Sequence, residues 1–268
     1  MGLPLSLSNT SAIEVASQAA KEAGSLLLQH IYGKRQLSYK EGRSNFVTDV
    51  DVLVEKKVIA LLQAEYPDYN ILSEEAAAID NKSEYTWIID PLDGTNNYVH
   101  GIPFYSVSIA LTSREEILLG VIYDPWMQEL FTAEKGAGAR LNSQPIAISD
   151  RTSIEGSFIG CDMGYDADAG IRILDTVKDN WPQMCGLRIM GSAVLGLAYV
   201  SCGRLDLYVH LYLYPWDIAS GILIVREAGG EVTDWEGKPA TVQNRQILAG
   251  NRALSVEFME MMKSQPQP

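Results

Sequence analysis

At 268 residues, with 47% apolar and 21% charged positions, the chain has the composition of a soluble globular protein with material for a large core, as one compact domain or two closely fused halves. A formal net charge of −13 argues against nucleic-acid recognition through phosphate contacts, which needs a basic face, so no direct nucleic-acid binding is expected. Anionic substrates stay open, because a bound divalent metal reverses the local field. Cys161, Cys185 and Cys202 share no metal-type spacing and the three histidines are scattered, which disfavours a zinc site. That cysteine usage fits a reducing cytoplasm. With no signal-peptide pattern and no apolar run long enough to cross a bilayer, the expectation is a cytoplasmic protein without a membrane partner.

In chain order, Ile13, Ala16, Ala20, Ala23, Leu27 and Ile31 fall near one face and predict a helix over 13–32, capped by "NTS" and stopped at Gly33. "YKEGRSN" reads as a polar loop. A second helix is predicted over 49–65, with Val54, Val58, Leu61 and Leu62 inward and "YPDY" ending it. "YTWIID", "YSVSIAL", "ILLGVIYD" and "QELFTAE" are strand-like, separated by short turns, and suggest an antiparallel meander. Pattern alone leaves open whether "FYSVSIAL" is core or interface. "EKGAGARLN" is a glycine-rich turn and "QPIAIS" a short strand.

From about Ser153 the rhythm becomes alternating strands and helices: "GSFIGCD", a helix over 169–180, "GLRIM", a helix over 192–202, and "LDLYVH". "WDIASGILIVREAGG" is a helix stopped by a glycine pair, and "QILAG" a strand before the last helix. This change divides the chain into an α+β half over 1–152, carrying most candidate ligands, and an α/β half over 153–268 that supplies Asp217 and substrate contacts.

Three acidic clusters stand beside strand ends or helix starts. Glu74 and Glu75 follow "NIL"; Asp90 ends "WIID", with Asp93, Gly94 and Thr95 in the next turn; Asp217 opens a helix behind a proline. "FVTDVD" adds Asp49 and Asp51. Each cluster alone has a plainer reading as a turn, an acidic first helical turn or an N-cap. Together, carboxylates with no thiolate or imidazole among them favour a hard cation, Mg²⁺ above all. Gly94 permits close backbone approach, the amides after it can face an anion, and the Thr95 hydroxyl can orient water. Such a set describes a two-metal phosphomonoester hydrolase.

"SEE", "WIIDPLDGTNNYVHGIPFYSVSIAL" and "YPWDIASGILIVREAGG", with "NFVTDVD" and "RIMGSAVLGLAYVSCGRLD", resemble the inositol monophosphatase family in order and separation, from about Ala12 to Asn251, and look like a bacterial-type member. "DGTNNY" is closer to the inositol monophosphatase branch than to the nucleotide-phosphatase branch. The resemblance implies an α+β fold layered α-β-α-β-α, and a lithium-sensitive phosphatase with two or three Mg²⁺ ions, usually a homodimer acting on a small phosphorylated substrate.

Carried onto this chain, the resemblance assigns Glu74 to the first metal, Asp90 as the bridge with the Leu92 carbonyl assisting, and Asp93 and Asp217 to the second metal. Thr95, with Asp51 and Glu74, would position the attacking water. The Gly94 and Thr95 amides would hold phosphate, while Asp93, Ala193 and Asp217 would approach the substrate. Glu75 and Lys40 would be outer partners.

One position departs from the family. The glutamate that binds sugar hydroxyls seven residues before Asp217 is here His210, which cannot supply a doubly accepting carboxylate. The expectation is a role in selectivity, with titration near neutrality. Inositol 1-phosphate is the leading substrate. Histidinol phosphate, fructose 1,6-bisphosphate, NADP and phosphoadenosine phosphate are alternatives, and a regulatory binding protein on the same scaffold is a different class.

Overall fold

Helix α1 (Ala12–His30) begins where Ser11 and Glu14 satisfy each other: Glu14 Oε2 accepts from Ser11 N at 3.2 Å and from Ser11 Oγ at 2.6 Å. Its small residues Ala16, Ala19, Ala20 and Ala23, followed by Leu27, form a buried stripe that lets α2 (Asp49–Glu65) and a β-sheet approach closely. This computed structural model describes residues 3–33, 37–41, 45–164 and 166–263.

The sheet under α1 and α2 has seven strands: β3 (Asn70–Ser73), β4 (Tyr85–Asp93), β5 (Ser106–Ser113), β6 (Glu116–Asp124), β7 (Glu129–Glu134), β8 (Ala139–Leu141) and β9 (Gln144–Pro145), in that spatial order. From β4 onward it is the antiparallel meander expected from the alternating apolar runs, while β3 pairs parallel to β4 at one edge. Trp87 and Ile89 of β4, with Val107, Ile109 and Leu111 of β5, face α1 and α2. Ile88 and Ala110 face the other way. Both faces are covered, so these strands read as unbroken apolar runs. The stretch "YSVSIAL" is therefore core: every residue of β5 from Ser106 to Thr112 is buried.

Helices α5 (Ala193–Ser201) and α6 (Pro215–Glu227) fill the space between this sheet and a second one. The second sheet has the order β11-β10-β12-β14-β13, formed by β10 (Phe158–Asp162), β11 (Gly186–Ile189), β12 (Leu207–His210), β13 (Glu231–Thr233) and β14 (Ile247–Gly250). Its first three strands are parallel, and β14 runs antiparallel to both its neighbours. Tyr208, Ile247 and Ala249 point to α5 and α6. Ile159, Leu207, Val209 and Leu248 point outward to α4 (Ala167–Asn180) and α7 (Arg252–Lys263). The stack is the expected α-β-α-β-α sandwich. Each large apolar side chain fully buried in it contributes about 1.5–3 kcal/mol, enough in sum to hold costly charged groups at the layer edges.

The two ends of "YKEGRSN" are strand rather than loop, and its middle, 42–44, lies outside the described residues. Strands β1 (Leu37–Glu41) and β2 (Asn45–Thr48) pair antiparallel, and β2 leads into the cap of α2. The backbone groups of these two strands find partners in each other, which a count of polar side chains does not reveal. The short β13 also escapes the apolar pattern, which needs more residues than it has.

Candidate active site

Strand β4 enters the cleft through a break in its ladder. Asp90 pairs with Ser108 and Asp93 with Ser106, so Pro91 and Leu92 together oppose the single Val107. An extra residue bends a strand and re-aims its side chains. Here Asp90 Oδ1 accepts the Leu92 N–H at 3.0 Å, and both aspartates end on the cleft. Gly94 then turns the chain at φ +89°; a Cβ there would lie 3.0 Å from Phe104 O and 3.1 Å from Gly191 O, so only glycine fits. The "TNNYV" that follows is a one-turn helix, α3 (Thr95–Val99), rather than a simple turn.

Thr95 and Asp51, which the resemblance pairs, lie within hydrogen-bond distance. Thr95 Oγ1 stands 3.1 Å from Asp51 Oδ1 and 3.0 Å from Leu92 O, with one proton to donate to either and lone pairs left to accept from water. Asp51 is buried at the third position of α2, where its Oδ2 accepts the Thr48 N–H at 3.0 Å and the Thr48 hydroxyl. Burial raises the Asp51 carboxyl above its usual range, and the Thr48 hydrogen bonds pull the other way.

Asp93 is held by the start of α5. Its Oδ2 accepts from Val194 N at 3.1 Å and from the Ser192 hydroxyl, and its Oδ1 from Ala193 N at 3.3 Å. The Ala193 amide, expected against substrate, is thus directed at Asp93. Even with these donors, burial lifts Asp93 to about 7. Asp217 also differs from the plain N-cap reading: it is the third residue of α6 and reaches back to accept the Tyr214 N–H at 2.6 Å.

Glu74, Asp90, Leu92, Asp93, Gly94, Thr95, Ala193, His210 and Asp217 line one cavity of about 260 Å³. Glu75 is not among its lining residues, and the Lys40 side chain lies outside the described residues. Three supporting residues were not anticipated. Glu55, buried one helical turn after Asp51, has an Oε1 that accepts from Glu75 N and Ala76 N, each at 2.9 Å, and from the Ser73 hydroxyl. It thereby sets the loop carrying Glu74, and its signal was a carboxylate on the apolar face of a helix. Asp162, at the end of β10, accepts Gly191 N–H at 2.6 Å and Tyr208 O–H at 2.7 Å. Asn97 ties α3 across the cleft through Phe104 O at 2.9 Å and Met190 O at 3.0 Å.

The electrostatics call for a cation. Asp90 is 1% exposed, and burial together with Glu74, Asp93 and Asp217 raises its carboxyl far above the ordinary range. Among the described lining residues there are five carboxylates and no lysine or arginine. Like charges this deep are costly unless a positive group joins them. Oxygen-only donors, with the Leu92 carbonyl beside them, suit Mg²⁺. Among the described residues no group of three or more His, Cys, Asp or Glu side chains is placed to hold a metal ion as it stands.

His210 corrects one expectation. It is buried beside Asp162 in the sheet, its Nδ1 accepts the Tyr212 N–H at 3.0 Å, and the proton belongs on Nε2. Burial pushes the ring down to about 3, so it is neutral through the physiological range rather than titrating near neutrality.

The model of the inositol monophosphatase family matches residues 8–267. The inositol monophosphatase of Dictyostelium discoideum is 38% identical over 264 residues, covering 95% of this chain and 96% of that protein. The Nus factor SuhB of Xylella fastidiosa is 40% identical over 266 residues, 94% of each chain. The crystal structure of the extragenic suppressor protein suhB of Bartonella henselae aligns with a TM-score of 0.90 at 38% identity, covering 94% of this chain and 98% of that one. Both sheets and every segment of the cleft fall within these matches, and the chain belongs to the inositol monophosphatase family of phosphomonoester hydrolases.

Proposed function

We propose that this cleft hydrolyses small phosphomonoesters with Mg²⁺, and we take inositol 1-phosphate, which the name of a Mesorhizobium japonicum relative, inositol-1-monophosphatase, supplies, as the reference substrate. The observation that carries the reading is Asp90, buried among three further carboxylates at the end of a core strand. Glu74, Asp90, Asp93, Asp217 and the Leu92 carbonyl would hold two or three ions. Bound Mg²⁺ supplies charge against the phosphate, a more acidic water and stabilisation of the leaving alkoxide.

The chain's own groups do the positioning. The Thr95 hydroxyl, donating to Asp51, accepts a hydrogen bond from the attacking water and aims its lone pair at phosphorus, with Glu74 alongside. The Gly94 and Thr95 amides hold the phosphate oxygens in line. A bond forms between water oxygen and phosphorus as the phosphorus–alcohol oxygen bond breaks. One water proton ends on the alcohol, and the other stays with the phosphate.

Phosphate release from inositol 1-phosphate, measured with Mg²⁺, with chelator and with lithium, tests this. Turnover is expected with Mg²⁺ alone, abolished by chelator and inhibited by lithium. Full activity in chelator would sink the metal assignment. The likeness to the family also carries the proposal of a homodimer, which light scattering on the purified chain tests.

A further inference from the structure

Away from the carboxylate cleft, and sharing no lining residue with it, a cavity of about 480 Å³ opens between β13 and α7. Val232 of β13 points to α5 and α6, so strand alternation turns Glu231 and Thr233 the other way. That is the side on which Leu248, the register partner of Thr233, meets α7. Across the gap α7 presents Arg252, Ser255 and Met259, spaced three and four residues apart on one face. Arg226, in the last turn of α6, holds the edge of β13 by donating to Val232 O at 3.3 Å and to Ala240 O at 2.6 Å.

The polar groups of this corner are mismatched, and all in one direction. Thr233 Oγ1 and Ser255 Oγ are buried without a hydrogen-bond partner, in residues only 6% and 2% exposed. The indole N–H of Trp235, whose ring packs against Phe258 of α7, is a third such group. Six buried side-chain atoms are left in this way among the described residues, and half of them gather here, which sets the corner apart from scattered irregularity. The charges lean the same way. Glu236 is paired with Lys238 at 2.5 Å, and Glu231 lies 3.7 Å from Arg252 in an exposed, weak pairing. The partners of Arg226 are the two carbonyls, so among the described residues no acid answers its charge. Guanidinium groups only donate, and a hydroxyl donates wherever an acceptor is offered. The complement of such a wall is an anion rich in acceptor oxygens.

We propose that this cavity binds a small organic anion, its carboxylate or phosphate oxygens taken by Arg226 and Arg252 at the exposed rim and by Thr233 and Ser255 at the buried end. The volume exceeds what a bare ion needs and falls within the range of small-molecule sites, about 300–1,000 Å³. The site draws on none of the residues of the phosphatase reading and stands whether or not the cleft turns over an ester.

Backbone-amide NMR of the full-length chain without divalent metal, titrated with inorganic phosphate and with citrate, tests this. Sodium chloride at equal ionic strength is the control. Without a metal the carboxylates of the cleft repel both probes, so the amides of Gly94 and Thr95 should stay in place. The amides of 231–237 and 252–259 should shift saturably with at least one probe and not with chloride. Saturation by phosphate alone assigns a phosphate ester, by citrate alone a carboxylate, and by both the oxyanion chemistry they share. Arg252→Gln and Thr233→Val should each weaken binding by at least about tenfold. Thr233→Val should also raise the melting temperature, because it removes an unpartnered hydroxyl and keeps the shape of the side chain. Shifts that chloride reproduces, shifts confined to the cleft, no saturation with either probe, or undiminished binding in either variant overturn the proposal.

Discussion

The two walls of the cleft are built by opposite means. The acidic wall is gathered from distant segments: Glu74 after β3, Asp90 and Asp93 from the bulged end of β4, and Asp217 from the first turn of α6. Asp90, Asp93 and Asp217 each accept from backbone N–H groups, and burial keeps Asp90 and Asp93 electrostatically stressed. The aromatic wall comes from one continuous stretch, where simple alternation sends Leu211 and Leu213 inward while Tyr212, Tyr214 and Trp216 line the cleft. On the phosphatase reading, the first wall would govern whether any ester reacts and the second would face its alcohol half. Variants on the acidic wall should change kcat for all substrates together, and variants on the aromatic wall should change ratios.

The largest expected effect is that of Asp90→Asn. It removes the charge shared by the whole carboxylate cluster, and kcat should drop by roughly a thousandfold or more for every ester, a loss of transition-state stabilisation of about 4 kcal/mol. The fold should survive, because the side chain keeps its shape and repulsion falls. Circular dichroism should be unchanged, with kcat at background for both a nucleotide and a polyol ester. Retained turnover would place the reacting charge elsewhere.

Next comes the stress itself. Asp93 at about 7, Asp162 at about 6 and Asp90 above its ordinary range all have folded-state carboxyls raised above their unfolded values. Such groups stabilise the fold at low pH, and that contribution is lost as pH rises through the folded values. In chelator, the melting temperature should fall by roughly 5 °C or more between pH 5.5 and 8. Added Mg²⁺ should recover most of it, since a cation favours the ionised forms. A metal-free melting temperature that stays level or rises over that interval would contradict the clustering.

A smaller effect on stability, with a clear one on rate, is expected for Gly94→Ala. The methyl group would press on two carbonyl oxygens at a positive φ, costing about 1–3 kcal/mol of strain. Relief of that strain would shift the Gly94 and Thr95 amides, so kcat should fall at least tenfold for polyol and nucleotide esters alike. Differential scanning calorimetry with parallel kinetics checks both parts. A change in substrate ratio instead would blur the division between the walls.

How much of this was legible depends on how local each cause is. The end of β4 could be read because its cause is adjacent: an apolar run meeting "DPLDGT" leaves few alternatives. Helix α2 was readable to its ends, since both the cap at Thr48 and the apolar face are written into consecutive residues. Glu55, Asp162 and Asn97 were not, because their partners lie far along the chain and exist only after folding; Asn97 reaches Met190 across the two sheets. The β1–β2 hairpin escaped because its warrant is backbone pairing rather than side-chain type. His210 was legible as a departure from the family but not in its charge state, which depends on burial that one strand's sequence does not contain.

That charge state gives the smallest expected effect and the cleanest separation of the walls. His210 is depressed to about 3 by burial, so its folded form stays neutral from pH 8 down past pH 5. Titratable groups nearest along the sheet and wall are Asp162, Tyr208, Tyr212 and Tyr214, and the raised Asp162 carboxyl does not move the ring back toward neutrality. The ratio of kcat/KM between a nucleotide and a polyol ester should therefore be level between pH 6.5 and 8, even where the individual rates change through the acidic wall. The linkage sign is opposite to that of the aspartates. A depressed histidine resists protonation when folded, so its contribution to stability is lost as pH falls below the unfolded value near 6.5. His210→Gln, which keeps a neutral donor and acceptor, should flatten the acid limb of the melting curve while the ratio remains independent of pH. A ratio that turns over with a midpoint near 6.5 in the parent chain and loses that midpoint in His210→Gln would mean that the ring is charged in the complex, and that the aromatic wall carries an electrostatic role after all.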